Sequence, residues 1–376
     1  MTARVLWLTK GLGLGGAERL LTLTAARIDR SRFAVEVAYL LPWKDAFVRE
    51  LEEAGVPTVC LGSRDGADRR WPLRLRRLLR DRDYAIVHTH SPVPAAAARM
   101  LVRAPTRLLH TEHNMWDRYR RPTYLANALT YPRNQAVIAV SDGVAASIHR
   151  PRWVLGRYPP VETLLYGVEP ASAPRGHQAR LAARRELGID EAVPVIGNVA
   201  NLTPKKDHAG LLAAFDVVRR RVPEAELLLV GSGPLEADLK AEVRDRELDG
   251  SVRFLGSRDD VPALLPALDV FVLSSRYEGL PISLLEAMAA EVACVTTRVG
   301  GIPEAITDGV DGRLVGPGDP SALAAALVEV LSDAERRAEL ASMGRERVVA
   351  GFSIDRAVER TQELYTQVLA PPDGLP

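Results

Sequence analysis

The chain has 376 residues, 47% apolar and 26% charged, a composition that suits a globular protein with apolar mass for about two domain cores. No apolar run approaches the roughly 18 residues of a membrane-spanning helix. The first run, "RVLWLT", is too short for a signal-peptide core and passes straight into a glycine loop, so the cytoplasm is the expected location. The net charge of +1 hides an asymmetry, because residues 1–176 hold 27 basic and 16 acidic residues, a net +11, and the rest hold 22 and 32, a net −10. A basic half fits an anionic partner, either a phosphorylated substrate or a lipid headgroup surface, and leaves peripheral attachment at the inner face of a membrane open.

In chain order, "RVLWLT", "FAVEVAYL", "VPTVCLG", "AIVHTH", "TRLLHTE" and "AVIAVS" read as strands, with helical segments such as "AERLLTLTAARI" and "DAFVRELEEAG" between them. This alternation predicts one doubly wound parallel-sheet domain. A Pro- and Gly-containing stretch from Tyr166 to Arg180 breaks the rhythm and reads as a linker. The pattern then restarts with "VPVIGNVA", "AELLLVG", "VRFLG", "DVFVLSS" and "VACVTT", a second domain of the same kind. A helical closing segment and a frayed tail, "PPDGLP", end the chain. The expected division is residues 1–170, residues 171–352, and a helix over 353–370 that packs back toward the first domain. Open α/β sheets bind ligands at the carboxyl ends of their strands, so two such domains facing each other predict a cleft between them.

Several residue patterns point to chemistry. Gly11, Gly13 and Gly16 follow the first strand at dinucleotide-fingerprint spacing, which lets backbone amides approach a phosphate. A nicotinamide dinucleotide would also require an acidic residue at the end of the second strand, and Glu36 falls in mid-strand. "RYEGLPISLLEAMAA" places Glu278 and Glu286 around a helix start, with Gly279 and Pro281 between them. Pro281 suits a first helical position, and the free amides from Leu280 to Ser283 are expected to face an anion. His88, His90, His110 and His113 cluster in sequence without a carboxylate or thiol at convincing ligand spacing, so no metal is expected. "DRD", Asp81 to Asp83, precedes a strand and reads as a solvated helix end. Cys60 and Cys294 read as reduced core thiols. In "RRWPLRLRRLLRDRDY", Trp71, Leu75, Leu78 and Leu79 share a helical face among arginines. That face is either buried in the domain or offered to an anionic lipid or phosphorylated acceptor, and nothing in the pattern suggests nucleic acid.

The segment "YEGLPISLLEAMAAEVACVTTRVGGIPEAITDGVDGRLV" resembles the signature region of the family-4 retaining glycosyltransferases. "GGAER", "IVHTHSP", "TEHN", "VIAVSDGV", "NLTPKKDHAGLLAAF", "LLLVGSGPLEADL" and "VRFLGSRDDVPALLPALDVFVLSS" resemble further family segments in the same order, over nearly the whole chain. The resemblance implies the GT-B fold of two facing Rossmann-like domains. It also implies a retaining, metal-independent transfer, without a cofactor, from a UDP- or GDP-sugar donor to a hydroxyl acceptor of the lipid-linked or cell-envelope class. A noncatalytic nucleotide-sugar-binding protein of the same fold is the alternative. By resemblance, Glu278 and His113 lie at the donor sugar, and Glu286 grips the nucleotide ribose. Lys206 neutralises the diphosphate, with the loop of Gly279, Leu280, Pro281, Ile282 and Ser283 beside it. The Gly15-Gly16 loop reaches the donor diphosphate or the acceptor. Two positions depart from the family pattern: Asn201 stands where an Arg usually meets the phosphates, and Tyr166 stands where Asn is common. The first puts a two-cation clamp in doubt: either Asn201 donates only a neutral hydrogen bond, or Lys205 or another residue supplies the charge.

Overall fold

The computed structural model describes residues 2–63, 68, 70–152, 154–170 and 173–370. The tail "PPDGLP", Arg69 of the basic run, and Ala171 and Ser172 of the expected linker lie outside these residues. The chain divides into two compact units, Gly167–Ser353 and a first unit made of Met1–Tyr166 with the residues from Ile354 onward. The change of unit thus falls at Tyr166 and Gly167, a few residues before the expected boundary at 170.

The first unit alternates strands and helices: β1 (Ala3–Thr9), α1 (Gly16–Ala25), β2 (Phe33–Tyr39), α2 (Val48–Glu53), β3 (Thr58–Cys60), α3 (Trp71–Asp81), β4 (Ile86–Thr89), α4 (Pro92–Leu101), β5 (Arg107–Glu112), α5 (Arg121–Thr130), β6 (Ala136–Ala139), α6 (Asp142–Ser147) and β7 (Val161–Thr163). Its seven strands run in the order β3-β2-β1-β4-β5-β6-β7, each pair parallel. The second unit holds α7 (Gly176–Leu187), β8 (Val195–Val199), α8 (His208–Arg221), β9 (Glu226–Val230), α9 (Glu236–Asp245), β10 (Val252–Gly256), α10 (Val261–Leu264), β11 (Val270–Leu273), α11 (Ile282–Ala289), β12 (Ala293–Thr297), α12 (Ile302–Ala305), β13 (Arg313–Val315), α13 (Pro320–Ser332) and α14 (Ala334–Gly351). Its six strands are ordered β10-β9-β8-β11-β12-β13, again all parallel. Helix α15 (Ile354–Leu369) belongs to the first unit.

Strands covered on both faces need continuous apolar runs, and "ELLLV" and "VFVL" supply them in the second core. The strands read from sequence all form. The two edge strands β7 and β13 are additional, three residues each, too short to give a periodic signal. Cys60 corrects the reading of two core thiols, because it is exposed and only Cys294 is buried. β3 is an edge strand of its sheet, which leaves the residue open to solvent. The apolar face of α3 does turn inward: Leu75 is part of a core cluster, and Trp71, Leu78 and Leu79 pack against it. Asp81 ends that helix, accepting from Arg77 and Arg80, as a solvated helix end requires.

A buried polar chain fixes α15 on the first sheet. Trp7 Nε1, which can only donate, meets Tyr365 Oη at 2.8 Å. The tyrosine therefore spends its own proton on His88 Nδ1, 2.6 Å away. The neutral ring then carries its proton on Nε2, 2.8 Å from Thr111 Oγ1. Burial, then nearby His110 and His113, pushes His88 down to about 3, which keeps this tautomer neutral. At the other end, Val168 pairs with Ser353. A Cβ on Gly167 would lie 1.8 Å from the Phe352 carbonyl oxygen, so only glycine fits there.

Two outcomes are expected. Tyr365→Phe strands a buried Trp7 N–H and lowers stability by about 1–3 kcal/mol in urea denaturation; an unchanged midpoint would show that the chain carries no weight. An unfolded histidine titrates near 6.5 and His88 near 3, so its contribution is complete above about pH 6.5 and is lost as pH falls toward 3. The melting temperature should therefore drop between about pH 7.5 and pH 5, and His88→Gln should flatten that slope.

Candidate functional site

In an open parallel sheet the ligand crevice opens where the strand order reverses, beyond the carboxyl ends of the two strands that part there. In the second unit those strands are β8 and β11. The loop after β8 runs through Asn201 to Asp207, and the loop after β11 runs through Ser275 to Pro281. The loops are stitched together. Ser274 Oγ donates to the Lys206 carbonyl at 2.8 Å and to that of Asp207 at 3.1 Å. Arg276 N donates to the Lys205 carbonyl at 2.8 Å. Asp207 turns the first loop into α8 with a left-handed φ of 50°, a conformation that Asp tolerates better than most residues.

This stitching brings Lys206 and Glu278, 72 residues apart in sequence, into an ion pair between Nζ and Oε1. Lys206 is 9% exposed and Glu278 6%. Ser275 Oγ donates to the same Oε1 at 2.6 Å, and Oε2 takes part in neither contact. Burial pulls the Lys206 ammonium below its usual pKa; the Glu278 charge opposes that pull and Lys205 adds to it. From behind, Gly301 N donates to the Gly279 carbonyl at 2.6 Å. A Cβ on Gly300 would lie 1.9 Å from the Glu278 carbonyl oxygen, at a φ of +53°.

Helix α11 begins immediately after this loop. Pro281 is its N-cap, and Ile282 takes the first helical position expected for the proline. A proline cap has no side-chain oxygen, and none caps this helix. Its leading N–H groups and dipole are therefore offered to a negative group. Glu286 is the fifth residue of α11, roughly 6 Å along the axis from Ile282. Asn201 is exposed at the end of β8, its carbonyl accepting from Thr203 N at 2.8 Å. Arg276 is a cation that the sequence reading missed. It is exposed, and its guanidinium lies 3.2 Å from Asp207 Oδ1. Ser275 and Gly300 were also missed, since their partners are fixed by folding and no local motif marks them.

The first unit carries the remaining candidates. Its sheet order reverses between β1 and β4. Gly15 is the N-cap of α1 with extended backbone, Gly16 is the first helical residue, and the Glu18 carboxylate lies so close to Gly15 that a Cβ there would meet it. Glu36, the acid that a dinucleotide site would need, is occupied by Tyr84 Oη at 2.6 Å and by Arg82. His113 follows β5 and lines a recess with Trp7, Ala17, His88, His90, Tyr166 and Tyr365. Burial pushes it down to about 4. Its Nε2 and that of His90 are shielded and have no hydrogen-bond partner, so two neutral imidazoles stand ready for polar contacts. Glu112 anchors the loop that presents His113, accepting from Trp116 Nε1 at 2.8 Å and from Tyr119 Oη. Among the described residues, no three His, Cys, Asp or Glu side chains are grouped to hold a metal ion.

The family described as "Glycosyl transferases group 1" matches residues 179–347. The family described as "Glycosyltransferase Family 4" matches residues 14–154. N-acetyl-alpha-D-glucosaminyl L-malate synthase of Bacillus anthracis is 34% identical over 50% of this chain and 49% of its own length. A GDP-mannose-dependent monoacylated alpha-(1-6)-phosphatidylinositol monomannoside mannosyltransferase of Corynebacterium glutamicum is 33% identical over 57% of this chain and 58% of its own. The chain thus spans about half the length of these two curated relatives. Anabaena HepE, crystallised in complex with UDP and glucose, superposes with a TM-score of 0.83 at 21% identity, covering 96% of this chain and 99% of that one, a likeness of fold.

Glu278→Gln leaves Lys206 without its counter-charge and should cost about 3–5 kcal/mol, and the double change to Gln and Met should cost less than either single change. Urea denaturation of the three variants checks this; independent, additive losses would contradict it. The chain, with its two parallel-sheet units and these matched segments, belongs to the family-4 glycosyltransferases of the GT-B fold.

Proposed function

We propose that this chain is a retaining transferase that moves a sugar from a UDP- or GDP-sugar to a hydroxyl of a lipid-linked or cell-envelope glycan precursor. The observation that carries the reading is the Lys206–Glu278 pair at the strand-order reversal, beside the uncapped tip of α11. A diphosphate suits this place, since the ammonium and the helix dipole both favour negative charge that grows as the bond to the leaving group breaks. Glu278 Oε2 is free of the Lys206 and Ser275 contacts, which suits it to accept from a sugar hydroxyl. Glu286, further along α11, suits the ribose. Within the first unit, the candidates are His113 and the Gly15-Gly16 tip.

In this mechanism the bond from the anomeric carbon to the β-phosphate oxygen breaks, and its electron pair leaves with the nucleoside diphosphate. The acceptor oxygen bonds to the same face of that carbon, and its proton passes to the departing phosphate. Lys206 and the α11 amides supply the positive charge, so the mechanism requires no metal and no cofactor. Lys205 is assigned the second cation in place of the usual Arg at Asn201, and Arg276 is its nearest competitor because its backbone N–H, on the facing loop, donates to the Lys205 carbonyl. The named relatives support the donor class, one being described as GDP-mannose-dependent and the structural neighbour as holding UDP and glucose. The lipid-linked acceptor draws on the phosphatidylinositol mannoside in the former's description and on the net +11 of residues 1–176.

Incubation with a panel of UDP-, GDP- and TDP-sugars and a lipid-linked glycan extract, reading free nucleotide and product by chromatography, tests the reading. One donor should be consumed, with turnover unchanged by chelator and the anomeric configuration kept. Glu278→Ala should fold and lose roughly a hundredfold or more in kcat. Parental turnover in that variant would remove Glu278 from the mechanism; tight donor binding without turnover on any acceptor would favour the noncatalytic alternative. Lys205→Ala should lower kcat about tenfold or more, whereas a larger loss in Arg276→Ala would reassign the second cation.

A further inference from the structure

A helix on the surface of a globular domain normally turns its apolar side inward; α5 buries Ala128 and packs Tyr124 on the core but leaves both of its leucines outside. Its exposed residues are Arg121, Pro122, Leu125, Ala126 and Leu129, spaced so that they form one outward stripe. The inward side bears Asn127 and Ala128. Asn127 Oδ1 accepts from buried Arg99 of the neighbouring α4. Leu129 is 60% exposed and Leu125 44%; Met100, next to Arg99 on α4, is 67% exposed. The segment that follows α6 packs on α5 through Tyr158 Oη, which donates to the Ala128 carbonyl at 3.0 Å, and through the contact of His149 with Tyr124 at 3.1 Å. That segment buries Val154 in the cluster of Trp116, Ala128 and Tyr131, yet its next residue, Leu155, is 90% exposed.

The charge in the sequence around these side chains is predominantly positive. Between residues 93 and 157 the sequence has ten Arg, no Lys and three acids. Glu112 is buried and Asp117 pairs with Arg118 at 3.3 Å. Arg120, Arg121, Arg150, Arg152 and Arg157 are exposed.

We infer that this face, made by the outer stripe of α5 with Met100 and Leu155, docks the protein on a membrane that contains anionic phospholipid. The occupant must reward burial of leucine side chains and also carry negative charge. A second copy of the chain would set one cationic face against another, which like-charge repulsion disfavours. A nucleic acid would satisfy the arginines and leave the leucines in water. An anionic bilayer offers phosphate to the arginines and acyl chains to the leucines within one interface. The docking face is therefore α5 rather than α3, whose apolar side is spent on the domain core. The face uses no residue of the donor site, so it stands or falls apart from the transferase reading.

Co-sedimentation of the whole chain with lipid vesicles tests the inference without any sugar. At about 0.1 M salt, binding to vesicles of phosphatidylcholine with roughly one third phosphatidylglycerol should exceed binding to pure phosphatidylcholine about tenfold or more, and should fall steeply at about 0.5 M salt. Replacing Leu125, Leu129 and Leu155 together by Asn should lower binding roughly tenfold with an unchanged melting temperature. Arg120→Gln combined with Arg121→Gln should lower it about twenty-five-fold, since each basic group near the surface is worth about fivefold. Equal binding to the two vesicle types, or leucine variants that bind as the parent does, would overturn the proposal. So would a parent that dimerises in sedimentation velocity through the same leucines, or one that binds only a protein partner there.

Discussion

The proposed donor site depends on one interaction, the buried pair of Lys206 and Glu278. Neither charge could be held there alone, because taking an isolated ammonium or carboxylate out of water costs several kcal/mol after relaxation. Together they stand at the mouth of the sheet with opposite tasks. The lysine holds positive charge where a diphosphate is expected, and the glutamate holds the lysine in place until that anion arrives. Burial already weakens the lysine's hold on its proton, and an incoming anion would restore it.

The pair exists because of topology. A parallel sheet with the order β10-β9-β8-β11-β12-β13 sends the loops after β8 and β11 away from each other's helices and leaves an opening between them. Ser274, Arg276 and Gly300 then fix the loop geometry to within a hydrogen bond: two of them tie one loop to the other, and the third lets the Glu278 carbonyl approach without a side chain in the way. The left-handed turn at Asp207 and the proline cap on α11 serve the same end, one starting a helix immediately after the lysine and the other leaving a helix tip without a side-chain cap.

The sequence made much of this legible. Apolar runs such as "ELLLV" and "VFVL" identify buried parallel strands because both faces must be apolar. The spacing of Glu278 and Glu286 around a proline marks a helix tip, although the cap falls on Pro281 and not one residue earlier. What stayed hidden depends on partners far along the chain. Nothing local to Ser275 or Arg276 reveals that Lys206 and Asp207 lie beside them. Cys60 looks like a core residue until β3 is known to be an edge strand. The outward leucines of α5 were missed for a related reason, since a helical pattern shows that a face is apolar and says nothing of which way it turns. The departure at Asn201 is read from sequence alone, whereas the nearness of Arg276 to the same loop needs the fold.

The role proposed for Lys206 is recognition of a nucleoside diphosphate. Isothermal titration of UDP and GDP into the parent chain and into Lys206→Met measures this most directly. At least one of the two should bind the parent and lose about a hundredfold in affinity in the variant, the scale of a buried charge-assisted contact. Equal affinities for parent and folded variant would contradict it.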